Sequence, residues 1–374
     1  MPDSFSPQEL MQLALQKAEE GLFRTSPNPR VGCVIASVDG RILGMGSTQR
    51  AGEAHAEIMA LQDARHRGHS TQGAVAYVTL EPCSHHGRTG PCCEALAQAG
   101  ISKVVASMAD PNPLIAGRGF ARLRAAGIDV EVGPGAQASK TLNLGFLSRM
   151  VRGVPWVRLK VASSLDGVTA LPNGASQWIT AEAARRDVHA WRARACAVLT
   201  GIGTILADDP RMDVRWVDTL RQPWLAIVDS QLRTPADASL FQVRDRAVVI
   251  YAARPDPERE TALKAQGATV VHLPDPSGYR VDVHAMLRNL AQRGANELHV
   301  EAGGELNGAL VQAGAVDEVL LYQAPRLLGC GRGIARFGPL EALSDSVDLH
   351  VRSLDLVGED IRTVAEVRGR SDFI

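Results

Sequence analysis

Apolar and polar positions along this chain fall into two rhythms, period two and period 3.6, which alternate and so predict strands followed by helices. Ser6-Pro7-Gln8-Glu9 opens the first helix: Ser6 is the N-cap, Pro7 takes the first helical position and Glu9 completes a capping box. That helix runs through Leu13 and Ala18 toward Gly21, and the proline-rich Ser26-Pro27-Asn28-Pro29 predicts a loop. Two strands are predicted at Val31 to Ala36 and Arg41 to Gly46, with Asp39-Gly40 in the turn between them. A helix of good formers begins at His55-Ala56-Glu57 and breaks at Gly68. Then come a strand at Ala74 to Leu80, a helix at Cys92 to Ala99 and a strand at Val104 to Met108. A short helix at Gly119 to Ala126, a strand at Ile128 to Val132 and a closing helix at Ala136 to Met150 complete the half. Alternation of this kind predicts a three-layer α/β/α sandwich.

Arg152-Gly153-Val154-Pro155 reads as a linker, dividing the chain into domains at 1–151 and 152–374. A second α/β pattern follows it. Strands are predicted at Trp156 to Ala162, Ala197 to Thr200, Trp224 to Val228, Ala247 to Tyr251, Leu298 to Glu301 and Glu318 to Gln323, with two late ones near Leu349 to Leu356 and Ile361 to Val367. Helices are predicted at Ala181 to Ala193, Val281 to Gln292 and Leu306 to Ala313. Two turns after strands are rich in glycine: Thr200-Gly201-Ile202-Gly203-Thr204, and Glu301-Ala302-Gly303-Gly304-Glu305, which leads into a helix. Glycine lets a backbone approach a phosphate, and a helix N-terminus offers N–H donors to it. Neither turn is the G-x-G-x-x-G fingerprint, and a pair of ordinary tight βα turns fits the spacing equally well. Trp191 reads as core.

The chemistry is concentrated between His55 and Cys93. His55-Ala56-Glu57 is followed by Glu81-Pro82-Cys83-Ser84-His85-His86-Gly87-Arg88-Thr89-Gly90-Pro91-Cys92-Cys93. One imidazole and two thiolates are good zinc ligands and leave a fourth tetrahedral position open, as catalysis requires. Glu57 is then a carboxylate placed to carry protons for a zinc-bound water, the pattern of zinc nucleobase deaminases. The two cysteines are nine positions apart rather than three. A closed structural zinc site built within 83–93, or buried cysteines with no metal, are the competing readings. Neither has a use for His-x-Glu or for proline before the first cysteine. Cys92 follows Pro91 as Cys83 follows Pro82, so His55, Cys83 and Cys92 are the predicted ligands and Cys93 the spare.

Composition narrows the class. The 374 residues suffice for two cores, and 45% apolar and 22% charged residues are ordinary globular values. A net charge of −1 suggests no electrostatic surface for nucleic acid or membrane. Six scattered cysteines fit a reducing compartment, and no signal peptide or membrane-length apolar run is read, so a cytoplasmic enzyme is expected. A homo-oligomer is left open.

Both halves together closely resemble the bifunctional deaminase/reductase family of riboflavin biosynthesis. The resemblance rests on Ser26 to Gly32, His55-Ala56-Glu57 and Thr79 to Thr89 in the first half, where the cysteine spacing of nine is the family's own. In the second half it rests on Leu159 to Gly167, Ser176-Gln177-Trp178-Ile179-Thr180, Leu206 to Pro210 and Val300 to Gly303. It implies a cytidine-deaminase-like domain that deaminates 2,5-diamino-6-ribosylamino-4(3H)-pyrimidinone 5′-phosphate. It also implies a dihydrofolate-reductase-like domain that reduces the ribosyl group of the product to ribityl with NADPH. Carried over by position, Asn28, His85 and Arg88 would contact the deaminase substrate. Ala162, Trp178, Thr204, Asp208, Ser230, Gly303 and Gly304 would contact NADPH. Ser176, Arg192, Met212, Arg215 and Glu301 would contact the reductase substrate, with Arg192 and Arg215 suited to its phosphate. The stretch between Arg215 and Ser230 is short beside some relatives. Lys160 is the expected proton donor to the developing alkoxide. Two rivals are a nucleic-acid deaminase, which the near-neutral charge disfavours, and a binding protein with a structural zinc, which the intact Glu57 disfavours.

Overall fold

The capping box forms. In the computed structural model, which describes residues 4–84, 90–112 and 116–373, the Ser6 hydroxyl accepts the Glu9 N–H at 3.3 Å and the Glu9 carboxylate accepts the Ser6 N–H at 2.8 Å. Helix α1 then runs Pro7–Glu19. The chain separates into two units, one ending at Arg152 and the other spanning Gly153–Phe373.

The first unit is built on β1 (Gly32–Ala36), β2 (Ile42–Ser47), β3 (Val75–Val78), β4 (Lys103–Ala106) and β5 (Asp129–Val132), in the order β2-β1-β3-β4-β5. Strand β1 is antiparallel to both neighbours, whereas β3, β4 and β5 run parallel. The other helices are α2 (Ala56–His66), α3 (Cys92–Gln98), α4 (Arg118–Ala125), α5 (Ala136–Leu142) and α6 (Leu144–Arg152).

Alternation along β1 makes the layers. Val34 and Ala36 pack against Leu10, Met11 and Ala14 of α1. On the other face Cys33 and Ile35 pair with Gly46 and Gly44 of β2, and α2 lies across those glycines. A Cβ placed on Gly46 would sit 2.5 Å from Ala60 N and 2.6 Å from Ala56 O. The helix can lie this close because it presents Ala56, Ala60 and Ala64, spaced four apart on one face, to the sheet.

The closing helix departs from expectation. It is two helices, α5 and α6, broken at Asn143, whose φ is −112°. The Asn143 side chain accepts the Arg30 N–H at 2.8 Å and donates to the Arg30 carbonyl at 3.0 Å. The Arg30 guanidinium in turn donates to the Leu142 carbonyl at 2.8 Å. These bonds offer the chain an alternative to helical continuation.

The second unit contains β6 (Trp156–Ser164), β7 (Val168–Ala170), β8 (Ala197–Gly201), β9 (Trp224–Val228), β10 (Val248–Ala252), β11 (Ala268–His272), β12 (Glu297–Val300), β13 (Glu318–Ala324), β14 (Arg332–Gly333), β15 (Leu349–Val357) and β16 (Asp360–Val367). Nine of these form one sheet, ordered β11-β10-β9-β8-β12-β6-β13-β16-β15, and β7 pairs with β14. Neighbours from β11 to β13 run parallel, and β16 and β15 are added antiparallel. The helices are α7 (Glu182–Arg194), α8 (Ile202–Asp208), α9 (Pro257–Ala265), α10 (Val283–Gln292) and α11 (Gly304–Gln312).

The two faces of this sheet differ. Leu159, Leu298 and Val300 join Met286 and Leu290 of α10 in an apolar core. On the side of α7, Arg158 is buried between Glu297, at 3.1 Å, and Glu318, with the Trp191 ring 4.6 Å from its guanidinium. A buried cation needs partners of this quality to offset its desolvation.

Five elements of this unit went unpredicted: the short strands β7 and β14, and α8, α9 and β11. Helix α8 begins within the first glycine-rich stretch, at Ile202, where only a turn was read. Helix α9 and strand β11 lie in a polar stretch, although Asp256 accepts the Arg259 N–H at 3.1 Å ahead of Pro257, a local helix start.

Candidate functional site

Three chain segments build the cluster in the first unit. His55 is the N-cap of α2, in extended conformation (φ −77°, ψ 166°), so it and Glu57 face one site although two helical positions point about 200° apart. Cys83 follows β3, and Cys92 begins α3. The His55 Nδ1 lies 3.6 Å from Cys83 Sγ and 3.4 Å from Cys92 Sγ, and the Cys92 N–H donates to Cys83 Sγ at 3.3 Å. All three ligand atoms lie within 4.8 Å of one another, a separation a single tetrahedral ion can bridge. Hydrogen bonds from Cys92 and then His55 pull the Cys83 thiol down to about 4, against burial. Its hydrogen bond to Cys83, and then burial, push the Cys92 thiol up. One thiolate is thus already favoured, as metal binding needs. Cys93 is buried beside the cluster and is not one of the three.

Glu57 is 4% exposed. Burial, and then the Cys83 charge, raise its carboxyl to about 7. A carboxyl poised near neutrality can both take and return a proton.

Glu81 supports the cluster in a way that sequence reasoning missed. Its carboxylate accepts the N–H groups of Asp110 at 3.0 Å, Gly117 at 2.9 Å and Gly119 at 2.8 Å, which straps Pro82-Cys83 to the start of α4. A carboxylate directly before Pro-Cys was the available signal. Asn28 is half-buried in the loop before β1, at the end of the sheet where β3 leaves toward Cys83, since Gly32 and Thr79 are hydrogen-bonded neighbours. His85 and Arg88 lie outside the described residues.

In the second unit a cleft of about 2040 Å³ opens over the carboxyl ends of the parallel strands, the usual place for a ligand in such sheets. Lys160, Ala162, Ser176, Trp178, Arg192, Thr204, Asp208, Met212, Arg215, Ser230, Glu301, Gly303 and Gly304 all line it. Ligand pockets usually hold about 300–1,000 Å³, so there is room for two ligands side by side. Gly303 is the N-cap of α11 and a Cβ there would meet open space, leaving its backbone accessible from the cleft.

The centre of the cleft is a buried charge cluster. Glu301 is bonded by Arg192 through Nε and, at 2.9 Å, through Nη2. Lys160 Nζ approaches it to 3.7 Å and His299 Nε2 to 3.3 Å. Burial would raise the Glu301 carboxyl, but Arg192 and Lys160 outweigh it and hold the group well below the usual carboxylate range. Burial pushes the Lys160 ammonium below its ordinary value, against the pull of Glu301. Arg192 also donates to the Asp213 carbonyl at 2.9 Å, so its guanidinium is largely committed within the protein. Arg215 is different: its side chain is 48% exposed and pairs with Asp213 at 3.1 Å. Trp178 is 63% exposed, with the Arg185 guanidinium 4.6 Å over its ring. His189 also lines the cleft. It was missed, although it precedes Arg192 by three residues on one face of α7. Burial, then Arg192 and Arg215, lower its imidazole to about 4, so it is neutral at neutral pH.

Two family models match the chain. The cytidine and deoxycytidylate deaminase zinc-binding region matches residues 5–108, and the RibD C-terminal domain matches 155–362. The riboflavin biosynthesis protein RibD of Escherichia coli (strain K12) is 46% identical over 365 residues, covering 94% of this chain and 96% of the relative. That of Haemophilus influenzae is 39% identical over 380 residues, covering 98% and 99%. Among solved structures, Acinetobacter baumannii RibD superposes with a TM-score of 0.88 at 40% identity, covering 96% of this chain and 98% of that one. A diaminohydroxyphosphoribosylaminopyrimidine deaminase/5-amino-6-(5-phosphoribosylamino)uracil reductase from Thermotoga maritima gives 0.84 at 31% identity, with the same coverage.

Proposed function

The chain belongs to the RibD family, the bifunctional zinc-dependent deaminases and NADPH-dependent reductases of riboflavin biosynthesis, and on that premise we propose which substrates it takes and which residues do the work. The first unit deaminates 2,5-diamino-6-ribosylamino-4(3H)-pyrimidinone 5′-phosphate. The second reduces the ribosyl group of the resulting 5-amino-6-(5-phosphoribosylamino)uracil to ribityl. The observation that carries the reading is the buried Glu57, raised to about 7 beside the His55, Cys83 and Cys92 donors.

His55, Cys83 and Cys92 hold the zinc, which when bound supplies a water acidified to a pKa of about 7. With the zinc in place, Glu57 would carry one proton of that water to the ring nitrogen and then the second to the leaving amine, so that ammonia departs. Asn28, His85 and Arg88 hold the pyrimidine.

In the second unit, Ala162, Trp178, Thr204, Asp208, Ser230, Gly303 and Gly304 hold NADPH, whose nicotinamide supplies the hydride. Lys160, with its ammonium destabilised by burial yet held by Glu301, donates the proton to the developing alkoxide. Ser176, Met212 and Glu301 orient the sugar. Arg215 takes the 5′-phosphate. Arg192 is reassigned from the phosphate to fixing Glu301, because its donors are occupied there. The two units act as separate sites divided near Arg152-Gly153. Six free cysteines and small phosphorylated substrates suit a cytoplasmic place of work.

Glu57→Gln tests the proposal. It keeps size but cannot carry the proton, so ammonia release should fall by about 10²–10⁴. Zinc content and NADPH oxidation on deaminated substrate should persist. Near-normal ammonia release would remove Glu57 from the mechanism.

A further inference from the structure

The wall of the reductase cleft that carries Arg215 has no regular secondary structure: residues 211–215 form neither helix nor strand. Side chains hold it, one residue after another. Arg192 binds the Asp213 carbonyl at 2.9 Å. The Gln222 amide clasps Val214, accepting its N–H at 2.8 Å and donating to its carbonyl at 3.0 Å. The next tie is His189 of α7, whose Nδ1 accepts the Arg215 N–H at 3.1 Å.

That bond has two consequences. A ring nitrogen that accepts a backbone N–H carries no proton, so the neutral imidazole bears its hydrogen on Nε2. A charged ring would turn a donor toward the Arg215 N–H and break the tie. His189 is 3% exposed, and its ring also meets Trp216 at 4.6 Å between centroids, tilted by 56°. Trp216, 46% exposed, carries the Arg215 and Arg186 guanidinium groups over its ring at 5.8 and 5.5 Å. One side chain therefore fixes both the backbone of Arg215 and the indole against which its guanidinium lies.

We propose that His189 is a positioning residue of the reductase site, holding the Arg215-Trp216 segment through Nδ1 and through its ring so that the Arg215 guanidinium is presented to the anionic end of the sugar phosphate. The inference rests on the assignment of Arg215 to that phosphate. The role is to orient, and it predicts an effect on substrate affinity more than on turnover.

The test uses the full-length enzyme with deaminated substrate and NADPH. His189→Phe keeps an aromatic ring but has no acceptor; His189→Asn places an amide oxygen near the position of Nδ1 but has no ring. Loss of one such hydrogen bond to a binding loop is worth roughly tenfold. KM for the uracil phosphate should rise about tenfold in His189→Phe, with kcat changed less, and the NADPH dissociation constant, read by cofactor fluorescence, unaltered. His189→Asn should recover most of the lost affinity. Ammonia release by the same preparations reports that the first unit is folded, and the unaltered NADPH dissociation constant reports the same for the second. A His189→Phe enzyme with the parental KM overturns the inference, as does His189→Asn impaired as badly as His189→Phe. Arg215→Ala, run beside them, separates the two layers of the argument. If it raises KM while His189→Phe does not, only the positioning role fails; if it leaves KM unchanged, the phosphate assignment fails and the inference falls with it.

Discussion

The close seating of α2 on β2 leads to a sharp expectation for Gly46→Ala. An added Cβ would lie 2.5 Å from Ala60 N, 2.5 Å from Met59 Cβ and 2.6 Å from Ala56 O. Optimal carbon contacts are about 3.5–4.0 Å, so the helix must withdraw by about 1 Å. Two of the obstructing atoms are backbone, and no rotamer change relieves them. Ala56 lies between His55 and Glu57, so the displacement is delivered to the proposed zinc ligand and to the proposed proton carrier. Misplacement of this size costs roughly 10²-fold in rate, and overpacking of this kind costs about 1–3 kcal/mol of stability. Ammonia release should therefore fall about a hundredfold, zinc content should drop, and NADPH oxidation on supplied deaminated substrate should stay at the parental level. Parental ammonia release from a folded Gly46→Ala protein would refute the claim that these glycines set the position of the catalytic helix.

The ligand assignment predicts that Cys92→Ser loses zinc by metal analysis while Cys93→Ser keeps it; the opposite result would exchange their roles. Arg158→Met removes the cation that lies between Glu297 and Glu318 and leaves Glu297 to Arg194 at 2.8 Å, and removing one partner from such a buried set costs about 3–5 kcal/mol. Urea unfolding should show that loss; an unchanged midpoint would mean the cluster relaxes freely. Asp166 accepts the Ser164 hydroxyl and the Gly329 and Leu328 N–H groups, which together pull its carboxyl down to about 2. A lowered folded pKa gives stability that is present above the unfolded value of about 3.9. It is lost as pH falls through about 2. The urea-midpoint gap between the parent and Asp166→Asn should therefore be widest above pH 4 and shrink toward pH 2, and a gap independent of pH would contradict this.

What was legible in the sequence was written locally. The Ser6 capping box and the His55 position at a helix start are signals carried by three or four adjacent residues, and both are found. The break at Asn143 was illegible because its partner, Arg30, is 113 positions away. Arg192 reads as a phosphate contact because the carboxylate that engages it, Glu301, comes just after β12, 109 positions later. Glu81 hid its function for the same reason: the amides it gathers belong to residues 110–119. Helix α8 was hidden by its own glycine, since Gly203 in the first turn argued for a loop. The set of residues lining the reductase cleft came from family resemblance; no spacing along the chain unites Ser176 with Ser230 and Gly303.

The Asn143–Arg30 clasp also bears on how the molecule is made. Synthesis proceeds at about 5–20 residues per second, so the 113 positions between clasp partners correspond to roughly 6–23 s. For that interval the segment holding Asn28 and Arg30 exists without the residues that secure it. The deaminase match ends at residue 108, before the clasp can form. A nascent chain bearing every zinc donor is thus still an unfinished enzyme, and a ribosome paused anywhere between Cys92 and Asn143 would display an unsecured site to chaperones and proteases.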